Sequence, residues 1–266
     1  MINLGTDEIV KYPFLTEAGK YLSDKGFSLE QFGTDPDLKR IVSMAFDRIQ
    51  VASDGKIYNS NSSTNDSSLP MEVFSFLIAV ILLKLTGMHT LIRRFSLAEA
   101  RRSERFLEKD LSNHKDKTKE HLALQILHDL FSITIQKQDD DFIIPISNYL
   151  KHSINFHERE WKLINRKVNS GHVYLTSHET VRLVRKEIDL YISSKINSAN
   201  KPTMIEGFQE YVDKLRILAK KFEVKVVESS EHPPCIKHAI EVLEKGENLS
   251  HSGRFMLATF LLAKGQ

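Results

Sequence analysis

Apolar residues recur every three or four positions through most of this chain, the spacing that lays one face of an α-helix against a core. Leu38, Ile41, Met44, Ala45 and Ile49 form one such stripe, and residues 11–50 are predicted helical, entered through Tyr12-Pro13-Phe14-Leu15. Residues 71–85, MEVFSFLIAVILLKL, are apolar on nearly every side, which predicts a helix buried in the interior. A joint at Gly87 precedes a helix over about 90–107, with Leu91, Phe95, Ala98 and Phe106 inside and Arg93, Arg94, Arg101, Arg102 and Arg105 outside. Residues 112–130 give another amphipathic helix, burying Leu122, Leu124, Ile126, Leu127 and Leu130.

The period then shortens to alternation. Ser132–Gln136 and Phe142–Pro145 read as strands around a hairpin at 137–140, and His172–Leu175 as a third strand. Thr176-Ser177-His178-Glu179 is a capping box that starts a helix burying Val181, Val184, Ile188, Tyr191 and Ile192. After Pro202, a helical stripe runs through Phe208, Tyr211, Val212, Leu215, Leu218, Ala219 and Phe222. Two stretches interrupt the pattern. Residues 52–69, crowded with Ser, Asn, Asp and Gly, are expected to form a mobile loop, and 223–232 a linker. The expected fold is mostly α with a small antiparallel β subdomain (α+β). Residues 1–222 form a helical body, with the subdomain at about 130–176, and 233–266 begin another domain.

That last part holds the only cysteine. Pro233 and Pro234 favour a helix start, which places Cys235 in a first turn, where the positive helix end biases a thiol toward thiolate. His232, Cys235 and His238 are three apart, with His251 further on, so a zinc site is a chemical option for a zinc-dependent regulator. An inert thiol at a helix start is the plainer account. One thiolate cannot hold an iron–sulfur cluster, which takes about four.

Composition narrows the function classes. A net charge of +2 gives no global basic field, so any nucleic-acid contact must come from local patches. A single cysteine fits a reducing, cytoplasmic setting, and residues 1–8 lack the features of a signal peptide. The 71–85 run carries Glu72 and Lys84 and is shorter than the ~20 residues of a membrane span, so no membrane role is expected. No phosphate-binding loop, dinucleotide glycine fingerprint, zincin helix or nucleophile elbow is present, and no catalytic residue is assigned. Asp139-Asp140-Asp141 reads as a solvated hairpin tip. The arginine helix suits either phosphate or a solvated face, since Glu104 and Glu108 lie three residues beyond Arg101 and Arg105 and are placed to pair with them. Trp161 is expected to anchor sheet to helices. Lys162 and Arg166, four apart on one helical face, suit phosphate binding or plain solubility.

Four blocks together resemble the large, non-catalytic subunit of archaeal and eukaryotic DNA primase. They are Lys11-Tyr12-Pro13-Phe14; Leu91 through Ala100; Tyr149-Leu150-Lys151 through Trp161–Arg166 to Gly171; and Pro233-Pro234-Cys235-Ile236 through Asn248–Phe255. The resemblance implies a helical N-terminal domain with a small mixed subdomain that docks onto the catalytic small subunit as a heterodimer for DNA replication. It implies a second domain with a 4Fe–4S cluster, contacting single-stranded DNA template, primer and nucleoside triphosphate. By position, Cys235 is similar to the first cluster ligand, and His251 and Arg254 to residues that meet phosphate. The chain has Ser250 where some relatives carry a basic residue, and no further cysteine follows. The expectation is therefore a subunit truncated within the iron–sulfur domain, without a cluster in this chain and with the active site on the partner. A stand-alone helical nucleic-acid-binding module is the alternative.

Overall fold

The computed structural model describes residues 6–59, 69–112, 117–200, 202–222 and 232–264. Half of the expected loop (60–68) and nearly all of the linker (223–231) lie outside the described residues, and the loop's first two positions, Ala52 and Ser53, are helical.

Helices α1 (Thr6–Lys11), α2 (Thr16–Asp24) and α3 (Gln31–Thr34) lead into α4 (Pro36–Ser53). Asp35 caps α4 by accepting the Asp37 N–H at 2.9 Å, with Pro36 as its first residue. The apolar run becomes α5 (Leu69–Thr86), whose Val73, Ile78, Ala79, Leu82 and Leu83 are fully buried. Among the described residues no helix is long and apolar enough to cross a membrane. Gly87, at φ +66°, closes α5 in the left-handed conformation that glycine adopts without a side-chain clash. It turns the chain into α6 (His89–Leu111), and α7 (Lys117–Phe131) follows. In α7, Ala123, Ile126 and Leu127 are buried, while Leu122, Leu124 and Leu130 are only partly covered.

The subdomain is a four-stranded antiparallel sheet, ordered β1 (Gln136–Gln138), β2 (Asp141–Pro145), β4 (His172–Leu175), β3 (Val168–Asn169). Phe142 pairs with Leu175 and Ile144 with Val173, and these four side chains make its buried face. The first strand begins later than Ser132: that residue takes φ +53°, breaking the extended run, and Ile133 and Ile135 enter the core from a non-strand segment. The hairpin tip is Asp139-Asp140, with Asp139 at φ +56°, a conformation aspartate tolerates. Helix α8 (Ile146–Ser153) packs on β2 and β4.

The capping box forms as expected, with Thr176 and Glu179 exchanging hydrogen bonds at the head of α9 (Ser177–Ser198). α9 packs along α6, and α10 (Gln209–Lys220) rests on α5. Gly33 is required here: a Cβ on it would lie 1.7 Å from the Glu206 carbonyl oxygen, so only glycine lets α3 meet the approach to α10 this closely. One continuous core runs from Tyr12 to Ala219.

A buried charge network crosses that core. Arg48, with no solvent exposure, donates from Nε and Nη2 to both Glu99 oxygens at 2.6 and 2.7 Å and from Nη1 to Ser75 Oγ at 3.1 Å. Arg102 donates to the Val10 carbonyl at 3.2 Å, and the Glu72 carboxylate lies 3.6 Å from Arg48 and 3.8 Å from Arg102. Arg102 is therefore interior, contrary to the periodicity, because buried carboxylate and carbonyl partners compensate its charge. Burial opposes ionisation of Glu99, yet the charge and hydrogen bonds of Arg48 hold its carboxyl below the usual range.

Helices α11 (Pro234–Glu244) and α12 (His251–Ala263) pair through a separate small core of Ile236, Ala239, Ile240 and Leu257.

Candidate nucleic-acid interface

The two C-terminal helices present their distinctive residues outward. Pro233 and Pro234 start α11, so Cys235 sits in its first turn, exposed. Ser250 is the cap of α12: its Oγ accepts the Gly253 N–H at 3.1 Å. His251 is the first residue of α12, exposed beside N–H groups that the helix leaves unpaired. Arg254, one turn on and also exposed, donates from Nε to the Leu249 carbonyl at 3.0 Å, leaving both terminal nitrogens of its guanidinium for a ligand. A helix N-terminus, an imidazole and a guanidinium on the first turn suit a phosphate chemically.

His232 does not join this group. It is 8% exposed and lies edge-on to Phe260 at 5.3 Å. Among the described residues no three His, Cys, Asp or Glu side chains gather to hold a metal, so the histidine–cysteine spacing builds no zinc site there. The same holds for a four-iron cluster: this sequence offers one thiolate, Cys235, where about four are needed. The residues present do not fit that group.

Lys162 and Arg166 are not on one helical face. Two short 3₁₀ turns, Arg159–Trp161 and Leu163–Asn165, flank an extended Lys162, and Arg166 is extended as well. Lys162 is exposed. Arg166 is a brace: it donates to both Glu179 oxygens at 2.7 and 2.9 Å and to the Tyr174 carbonyl at 3.0 Å. The Arg166 hydrogen bonds, outweighing partial burial and aided by the Thr176 N–H, pull the Glu179 carboxyl down to about 2. Trp161 is an anchor as expected, stacked on Phe156 at 4.2 Å, with its carbonyl accepting the Tyr149 hydroxyl at 2.7 Å.

The other blocks are braces too. Lys11 and Tyr12 both donate to Asp110 at 3.0 Å, tying the chain start to the end of α6. Burial, then the Asp110 charge, pushes the Tyr12 hydroxyl well above its ordinary range. Within the Leu91–Ala100 block, Arg94 donates to the Ser53 carbonyl at 2.8 Å and lies over Phe222, while Ser96 donates to Asp189 at 2.5 Å. Sequence reasoning passed over Arg182, Arg185 and Lys186 of α9; their placement within four residues on a helix was the available signal.

Residues 225–266 match the family described as the C-terminal domain of the eukaryotic and archaeal DNA primase large subunit. Matches to relatives extend over nearly the whole chain. It is 31% identical over 265 residues to the DNA primase large subunit PriL of Methanocella arvoryzae, covering 94% of this chain and 67% of that protein. It is 30% identical to that of Methanococcoides burtonii, covering 96% and 71%, and 29% identical to that of Methanosarcina barkeri, covering 97% and 62%. The chain thus spans about two thirds of the length of these relatives. It belongs to the DNA primase large subunit family, in its archaeal form.

Proposed function

We propose that this chain serves as the scaffold of a primase in the cytoplasm: its body docks the catalytic small subunit, and its C-terminal helices meet nucleic acid. The observation that carries the docking half is the exposure of large apolar side chains on the small subdomain. Leu150 on α8, Ile154 just after its end, Ile164 within the second 3₁₀ turn and Val168 on the edge strand β3 face solvent, Ile164 at 90%. Four exposed apolar side chains on one small subdomain suit a protein partner, and β3 adds an unpaired sheet edge for it; α12 exposes a second such set, Phe255, Met256 and Leu262, which the sheet edge does not border. The internal bracing by Tyr149, Trp161 and Arg166 holds this surface rigid.

The second half rests on His251 and Arg254, which bind the phosphates of template, primer or an initiating triphosphate. Lys162, exposed beside the apolar patch, is a lesser contact in the same scheme. The chemistry of chain growth, attack of a 3′-hydroxyl on a nucleoside triphosphate, belongs to the partner's metal ions. Cys235 is the one ligand this chain supplies toward a cluster. Mixing the purified chain with a catalytic small subunit on a sizing column with light scattering should give one heterodimer peak, and this chain alone should make no primer. Separate elution of the two chains would refute the docking role.

A further inference from the structure

The sequence places Glu104 and Glu108 where they would neutralise Arg101 and Arg105 along one helix. They are drawn elsewhere. Glu104 accepts from Arg185 of α9 at 3.3 Å, and Glu108 faces His178 at 3.0 Å. Arg101 and Arg105 are left without an acidic or carbonyl partner among the described residues, and so is Arg93. Along the same seam of α9, Arg182 is matched to Glu158 at 2.6 Å and Lys186 to Asp189 at 3.0 Å. The uncompensated charge is three guanidiniums on a single helix.

They border a set of neighbouring clefts. Clefts along the seam of α6 and α9 share their walls: Arg101, Arg105, Arg182 and Arg185 line one, and Arg93, Arg182 and Arg185 line the next with Phe156. A third cleft, on the flank of α6 away from α9 and walled by Phe222 and the turn between α11 and α12, joins Arg93 to Arg101. At the α-helical rise, Arg105 stands ~6 Å from Arg101 along the axis and Arg93 ~12 Å on the other side. A row of that length suits a linear polyanion better than a single small anion. Guanidinium forks favour phosphate oxygens over a diffuse negative surface. Phe156 sits at the groove, stacked on Trp161, with the Arg182 guanidinium 5.6 Å and 5.4 Å from the two ring centres. A cationic track with an aromatic step is the combination used to hold single strands.

We infer that the α6–α9 seam is a second nucleic-acid groove, in which Arg93, Arg101 and Arg105 take successive phosphates of a single strand, apart from His251 and Arg254. It does not rest on the docking role, because the 266-residue chain is tested alone. A labelled oligothymidylate of about 20 nucleotides is titrated by fluorescence anisotropy across a salt series. The R93A/R101A/R105A variant should bind at least about tenfold more weakly, with a log–log salt slope shallower by about 2, since each single-strand phosphate contact contributes ~0.7. R93K/R101K/R105K should keep the slope, which separates loss of charge from misfolding. H251A/R254A should keep the part of the slope that the triple alanine variant loses. Unchanged affinity and slope in the triple alanine variant would overturn the inference. So would displacement of the oligonucleotide by polyglutamate as readily as by unlabelled strand, which would assign the groove to an acidic protein.

Discussion

In the helical body much of the family pattern is turned inward, where Lys11 and Tyr12 clamp Asp110, Glu99 holds Arg48 and Trp161 accepts from Tyr149, while Leu150, Lys162 and Ile164 of the same blocks face solvent. In the C-terminal pair Cys235, His251 and Arg254 are turned outward on helix first turns. The two cores differ in the same sense. One spans Tyr12 to Ala219; the other rests on Ile236, Ala239, Ile240 and Leu257. Inward signatures preserve a shape, and outward ones meet something. On the proposed reading the body is a rigid platform that also carries the docking face, and the tail is the surface for nucleic acid.

That contrast can be broken by mutation. The largest effect is expected for Glu99→Ala, which removes both short carboxylate hydrogen bonds of the fully buried Arg48 and leaves it only the Glu72 carboxylate at 3.6 Å; it should cost about 3–5 kcal/mol in urea unfolding. Replacing both partners, R48M/E99L, should recover most of the loss, because the penalty comes from a buried charge deprived of its hydrogen-bonded partner, and Arg102 still faces Glu72. Next comes Arg166→Met, which removes a two-pronged charged hydrogen bond and should cost about 1.5–3 kcal/mol. Its pH signature has a definite sign. Glu179 is held at about 2 in the fold against an ordinary 4.5, so its contribution is complete above about pH 5 and fades as pH falls toward 2. Glu179→Gln should flatten that part of the stability–pH curve; an unaltered slope would show that the ion pair does not act.

Leu257→Ala should speed hydrogen exchange in α11 and α12 while leaving the main unfolding transition of the body in place, since the two cores are separate. A shift of the whole transition would mean that the tail is part of the body's cooperative unit. The smallest stability effect belongs to H251A/R254A, within about 0.5 kcal/mol, because both side chains are exposed. Strand binding by that variant should fall nonetheless.

Local signals in the sequence carried most of the architecture. The apolar run of α5, the Thr176–Glu179 capping box, β4 and the start of α11 at Pro234 all follow from neighbouring residues. What escaped depends on distant partners. Arg102 reads as a surface residue until Glu72 and the Val10 carbonyl are brought to it, and Glu104 reads as the partner of Arg101 until Arg185 arrives from α9. By spacing Arg166 shares a helix with Lys162, but Glu179 and Tyr174 pull it into an extended segment. The short strand β3 has too few residues to alternate. Of the candidate site, the first-turn position of Cys235 was legible in the sequence; that of His251 and the bracing role of Arg166 were not.

The platform-and-surface account meets its most direct test in the affinity for the catalytic partner, compared by calorimetry between L150D/I164D and H251A/R254A. The account predicts that the first variant loses the complex and the second keeps it near wild-type strength. Full binding by L150D/I164D together with loss in H251A/R254A would place the docking surface on the tail and contradict it.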